Sequence, residues 1–98
     1  MSILMEVLAE ELERLDRQQA AYEASLLELP RGYISKKKIQ GKEYCYLQYK
    51  EGGKVVSKYI SAANLPAVEA QVNQRKQLEA SLRRVKQDQK KLRKVLGC

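Results

Sequence analysis

Gly32-Tyr-Ile-Ser-Lys-Lys-Lys-Ile-Gln-Gly-Lys-Glu-Tyr-Cys-Tyr-Leu-Gln-Tyr-Lys-Glu-Gly-Gly-Lys-Val-Val-Ser-Lys-Tyr-Ile60 is the stretch on which the fold turns. Two short pairs, Gln40-Gly41 and Gly52-Gly53, separate runs rich in Tyr, Ile and Val. Glycine reaches the positive φ that two-residue hairpin turns require, so each pair reads as a turn. The spacing predicts three antiparallel strands over 33–39, 42–50 and 54–60, joined as a meander.

Pairing outward from two-residue turns sorts the side chains, because alternate residues of a strand point to opposite sides. Ile34, Cys45, Leu47, Tyr49, Val56 and Ile60 share one face. Tyr33, Ser35, Lys37, Tyr44, Tyr46, Gln48, Val55, Ser57 and Tyr59 share the other. A single bulge near the second turn would exchange the third strand's two sides. A three-stranded sheet needs something to bury against, so the aliphatic face is expected to pack inward and the tyrosine face to stay partly open.

Helical patterns flank this segment. From Ser2 to about Leu29 the chain has no internal Gly or Pro, and Leu4, Leu8, Leu12, Leu15, Tyr22, Leu26 and Leu29 trace one stripe. Ser2 suits an N-cap, and Pro30 with Gly32 stops the helix. A second helix is predicted over 64–96, with Asn64 as its cap and Pro66 tolerated in the first turn. In it Leu78, Leu82, Val85, Gln89, Leu92 and Leu96 advance by alternating steps of four and three, the seam of a coiled coil. The expected fold class is α+β: two long helices in an antiparallel, coiled-coil-like hairpin with the meander between them, one domain over 1–98.

Charge supports that pairing. The chain has 98 residues and a net charge of +7, unevenly spread. Residues 1–28 carry seven acids and two bases, whereas residues 65–98 carry nine bases and three acids. Glu6, Glu10, Glu11, Glu13 and Asp16 are therefore expected near Arg83, Arg84, Lys86, Lys90 and Lys91. Exposed pairs contribute only a few tenths of a kcal/mol each, but together they select partner and orientation. The same basic helix could instead face nucleic acid, or the acidic helix of another chain as a homodimer or with a protein partner.

Composition excludes much chemistry. The sequence has no His, which removes the usual general base, the commonest metal ligand and every Ser-His or Cys-His pair. Cys45 and Cys98 are too few for a disulfide framework or a zinc site, and Cys45 has no base to activate it. Glu43 and Glu51 are the only acids in the sheet and form no catalytic pair. Gly52-Gly53 lies in a hairpin and lacks the spacing of a phosphate loop. No apolar run approaches a membrane span, and the N-terminal residues lack the pattern of a signal peptide, so the expected address is the cytoplasm. No catalytic residue, metal or cofactor is expected.

What remains is the tyrosine face. Tyrosine rings stack on bases and ammonium groups neutralise phosphate, the pairing used in sequence-tolerant single-strand binding. The candidate nucleic-acid-binding residues are Tyr33, Lys36, Lys37, Lys38, Tyr44, Tyr46, Lys54, Lys58 and Tyr59. Two other readings stand beside it: cross-strand tyrosines stabilise a half-exposed sheet by themselves, and edge lysines prevent edge-to-edge pairing.

The strand segment resembles an uncharacterised family of small prokaryotic proteins, a domain of unknown function also met in mobile elements. The resemblance rests on Lys-Lys-Lys-Ile-Gln-Gly-Lys-Glu-Tyr at 36–44, Tyr-Leu-Gln-Tyr at 46–49 and Gly-Gly-Lys-Val-Val-Ser-Lys-Tyr-Ile at 52–60. It implies a sheet followed by a long charged helix and carries no activity. More distantly the meander is similar to three-stranded arm-type DNA-binding domains of phage integrases, from which the two long helices depart. The expected function is a non-enzymatic nucleic-acid-binding or mobile-element accessory protein that contacts DNA or RNA. The alternative is a protein-interaction module, such as a coiled-coil adaptor or a small inhibitor of a nucleic-acid enzyme.

Overall fold

Ser2 begins the first helix as its position suggested. Its extended backbone stands outside the helix while its Oγ accepts the Met5 N–H at 3.2 Å, satisfying one of the amides that a helix N-terminus leaves over. The computed structural model describes residues 2–97, so Cys98 lies outside the described residues. Helix α1 runs Ile3–Leu27, β1 Tyr33–Ile39, β2 Lys42–Glu51, β3 Lys54–Ile60 and α2 Leu65–Leu96. Two helices thus flank a three-stranded antiparallel sheet of order β1-β2-β3, an α+β arrangement.

Helix α1 ends two residues sooner than its apolar stripe. A residue before proline is driven out of the helical region, so Leu29 cannot extend the helix ahead of Pro30. The Glu28 N–H instead closes a tight last turn on the Ser25 carbonyl at 3.2 Å. At the entry to α2 the side-chain acceptor is Ser61, not Asn64 itself: Ser61 Oγ takes the Asn64 N–H at 3.3 Å, and the Ser61 carbonyl takes the Leu65 N–H at 3.0 Å.

The chain divides into two compact units, residues 1–28 with 77–98, and residues 29–76. The first is a helix pair. Leu15 and Val85 are buried, Leu8, Leu12, Tyr22, Leu26, Leu78, Leu82, Leu92 and Leu96 are half-buried, and Leu4 is exposed. Leu15 and Tyr22 share a depression with Ser81 and Val85, and Leu15 shares another with Leu92, which sets the two helices antiparallel.

The middle of this seam is polar. Gln89 is 2% exposed, and its Nε2 donates to Asp16 Oδ1 at 2.8 Å and to Gln19 Oε1 at 2.9 Å. Gln19 in turn donates to Glu23 at 2.7 Å, and Arg93 donates to Asp16 at 3.1 Å. A buried amide with both N–H groups used fixes alignment, since sliding either helix by a turn would strand it. Among the described residues, the ion pair across the helices is therefore Asp16–Arg93. The expected proximity is present for Glu11 and Lys91, which line one depression, but among the described residues no ion pair joins Glu6, Glu10, Glu11 or Glu13 to Arg83, Arg84, Lys86, Lys90 or Lys91. Glu11 turns instead to Arg14 of its own helix, whose hydrogen bond holds the Glu11 carboxyl below its usual value.

In the second unit both turns form as two-residue hairpins. Gln40 and Gly41 have φ of 52° and 80°, and Gly52 and Gly53 have 57° and 79°, the paired positive values of a type I′ turn. No bulge interrupts the ladders, which run from Tyr33↔Gln48 to Ile39↔Lys42 and from Cys45↔Ile60 to Glu51↔Lys54. Ile60 and Val72 are buried, and Ile34, Leu47, Tyr49 and Val56 are half-buried. Ile34 and Lys36 face Glu69, Val72 and Asn73 of α2 across a cleft. Arg75 secures the segment before the sheet by donating to the Leu29 carbonyl at 3.1 Å.

Gly32 is the one position here where only glycine fits. Its φ is +106°, and a methyl group on it would run into the Gln48 carbonyl oxygen and lie 2.9 Å from the Tyr49 Cβ. The chain therefore enters β1 hard against the backbone of β2.

Candidate functional site

The register assigns every strand residue to a side. Tyr33, Ser35, Lys37 and Ile39 of β1 align with Gln48, Tyr46, Tyr44 and Lys42 of β2, and Tyr46, Gln48 and Lys50 align with Tyr59, Ser57 and Val55 of β3. The four expected tyrosines therefore lie together. Tyr33 and Tyr59 are 56% and 61% exposed, while Tyr44 and Tyr46 are half-buried.

Three of the rings, those of Tyr44, Tyr46 and Tyr59, form a cluster. Tyr59 meets Tyr46 edge-on, with centroids 5.9 Å apart at 68°, and meets Tyr44 at 6.3 Å and 56°. These are the tilted geometries that aromatic quadrupoles favour. Lys37 Nζ stands 5.2 Å from the centre of the Tyr46 ring, a cation–π contact. Gln48 Nε2 donates to Ser57 Oγ at 3.0 Å across the strands.

The lysines sort differently from the sequence grouping. Of Lys36, Lys37, Lys38, Lys54 and Lys58, only Lys37 shares the side of the tyrosines. Lys36, Lys38, Lys54 and Lys58 occupy the opposite parity, beside Ile34, Leu47 and Val56. The reason is the two-residue period of the pleat: neighbours in sequence are neighbours in space only across the sheet. On that other side Lys36 lies 3.9 Å from Glu43, and Lys58 stands 5.7 Å from the Tyr49 ring.

The same parity brings Lys42 and Lys50 onto the tyrosine face, two cations that grouping by sequence proximity missed. Counting residues by twos from Tyr44 and Tyr46 finds both. The two acids of the sheet, Glu43 and Glu51, both fall on the opposite side. The tyrosine face thus carries Lys37, Lys42 and Lys50 with no carboxylate from any strand. Such a surface can hold planar rings against its tyrosines and anionic groups against its lysines.

Comparison with known proteins adds the family. A family model matches residues 5–70, from the first turns of α1 through the meander and into α2. The chain belongs to that family, a domain of unknown function (DUF6788). The match to DUF6788 contains the whole of the 32–60 segment and so every residue of the tyrosine face. No curated protein and no solved structure matches the chain. Among the described residues, no helix is long and apolar enough to cross a membrane.

Proposed function

We propose that this chain is a nucleic-acid-binding protein whose tyrosine face engages single-stranded DNA or RNA. The observation that supports this reading is the separation of charge by the pleat: four tyrosines and three lysines on one side, both sheet acids on the other. A face of rings with cations and no carboxylate attracts a polyanion that also carries planar bases. Tyr33 and Tyr59, the two most open rings, are two strands apart and offset by two residues. Strand spacing and rise put them roughly 12 Å apart, which leaves room for two stacked bases.

Base stacking on an aromatic side chain contributes about 1–3 kcal/mol, and the lysines act on phosphate irrespective of sequence. Affinity should therefore fall with salt by a slope near −0.7 per phosphate neutralised on single strands. Contacts from Lys37, Lys42 and Lys50 with one further cation would cost roughly fifty-fold between about 50 and 200 mM salt. Fluorescence anisotropy with a labelled oligodeoxythymidylate tests this directly. Binding that is absent at 50 mM salt, or indifferent to salt, would overturn the reading and favour a protein-interaction module.

A further inference from the structure

At one end of the tyrosine face the sheet is not flat. Arg31, Gly32, Tyr33, Gln48, Lys50 and Val55, with Tyr49, line an open groove of about 350 Å³, within the range of small-ligand clefts, roughly 300–1,000 Å³. The groove exists because Gly32 lets the chain reach β1 against the backbone of β2, which brings Arg31 alongside Tyr33 and Lys50. Val55, 62% exposed, supplies an aliphatic wall.

The lining has a division of labour. Tyr33 and Val55 offer apolar surface for a planar ring. Arg31 and Lys50 are two exposed cations, and no acid lines the groove. Gln48 uses one N–H on Ser57, and a primary amide has a second N–H and an acceptor oxygen left for a base edge. Planar apolar wall, amide and paired cations are the complement of one nucleotide: base, polar edge and phosphate.

We infer that this groove is a nucleotide subsite, taking one splayed nucleotide of the bound strand with its base against Tyr33 and Val55 and its phosphate on Arg31 and Lys50. The inference rests on the reading of the tyrosine face as a single-strand platform and adds to it a pocket for an individual base.

Titration of ¹⁵N-labelled full-length protein with a 12-mer oligodeoxythymidylate separates the two claims. A subsite shifts the amides of Gly32, Tyr33 and Val55 and the side-chain amide of Gln48. Two variants that each lower the net charge by one, the first by adding a carboxylate and the second by removing an ammonium, then compare the groove with the far end of the face. Val55→Glu, which sets a carboxylate in the groove at an exposed strand position, should weaken binding at least tenfold. Lys42→Gln, at the first hairpin, should weaken it two- to threefold. Binding with shifts confined to Tyr44, Tyr46 and Tyr59, or equal losses in the two variants, overturns the subsite and leaves the platform standing. No binding by the wild-type protein overturns both.

Discussion

The two sides of the meander are made by the same three strands and hold nearly the same number of lysines, yet they are chemically opposite. One side combines Ile34, Leu47, Val56 and Ile60 with Glu43 and Glu51, so its lysines have carboxylates nearby. The other combines Tyr33, Tyr44, Tyr46 and Tyr59 with Lys37, Lys42 and Lys50, and no strand acid accompanies them. Alternation is usually read as a way of separating apolar from polar. Here it separates neutralised charge from unneutralised charge as well, and the second separation is the one that bears on recognition.

The comparison can be broken at the residue both sides depend on. Gly32→Ala forces a non-glycine side chain into positive φ and against the Gln48 carbonyl. Strain and overlap together should cost about 3 kcal/mol or more, lowering the thermal midpoint by more than about 10 °C for a chain of this size. A midpoint within a few degrees of wild type would show that the approach of Gly32 to β2 is not tight.

Adjacent residues then test the two sides separately. Ile60→Ala empties a buried position and should destabilise by about 2–4 kcal/mol in denaturant titration. Tyr59→Ala removes an exposed ring and its edge contacts, costing only about 1 kcal/mol of stability, but it should weaken oligonucleotide binding roughly tenfold. Similar stability losses in the two variants would erase the distinction between inside and outside.

Lysines give a sharper version of the same contrast. Lys37→Ala should reduce affinity several-fold, through phosphate and through the Tyr46 ring it stands over, whereas Lys38→Ala should leave affinity within twofold. Equal effects at these neighbours would mean that net charge, and not the side it occupies, governs binding. The smallest expected change is at the first turn. Gln40 has positive φ, a conformation asparagine tolerates better, so Gln40→Asn should raise stability by about 0.5 kcal/mol and leave binding alone.

Much of this arrangement was legible in the sequence because the informative signals are local. Gln40-Gly41 and Gly52-Gly53 fixed loop lengths, loop lengths fixed register, and register fixed the membership of both faces down to Val55 and Val56. The seam from Leu78 to Leu96, Gln89 included, followed from its spacing alone. Lysine placement failed where proximity in sequence was allowed to outweigh parity: Lys36-Lys37-Lys38 is a run on paper and straddles the sheet in space. The groove was not legible, because it depends on Gly32 meeting Gln48, sixteen residues later in the chain. The helix pair shows the same limit. Complementary charge indicated which helices meet, but the pairs that form depend on the alignment set by the buried Gln89 amide, so Arg93 rather than its predicted neighbours reaches Asp16.

The two-residue hairpins carry one more implication. Strand composition by itself does not decide which chemistry faces outward; the number of residues in each connection does. Inserting a single residue between Gly52 and Gly53 while β3 stays paired would roll that strand over, sending Tyr59 and Val55 inward and presenting Lys58 and Val56 in their stead. Loop length thus acts as a selector of surface identity, capable of remaking the exposed chemistry without altering any strand residue.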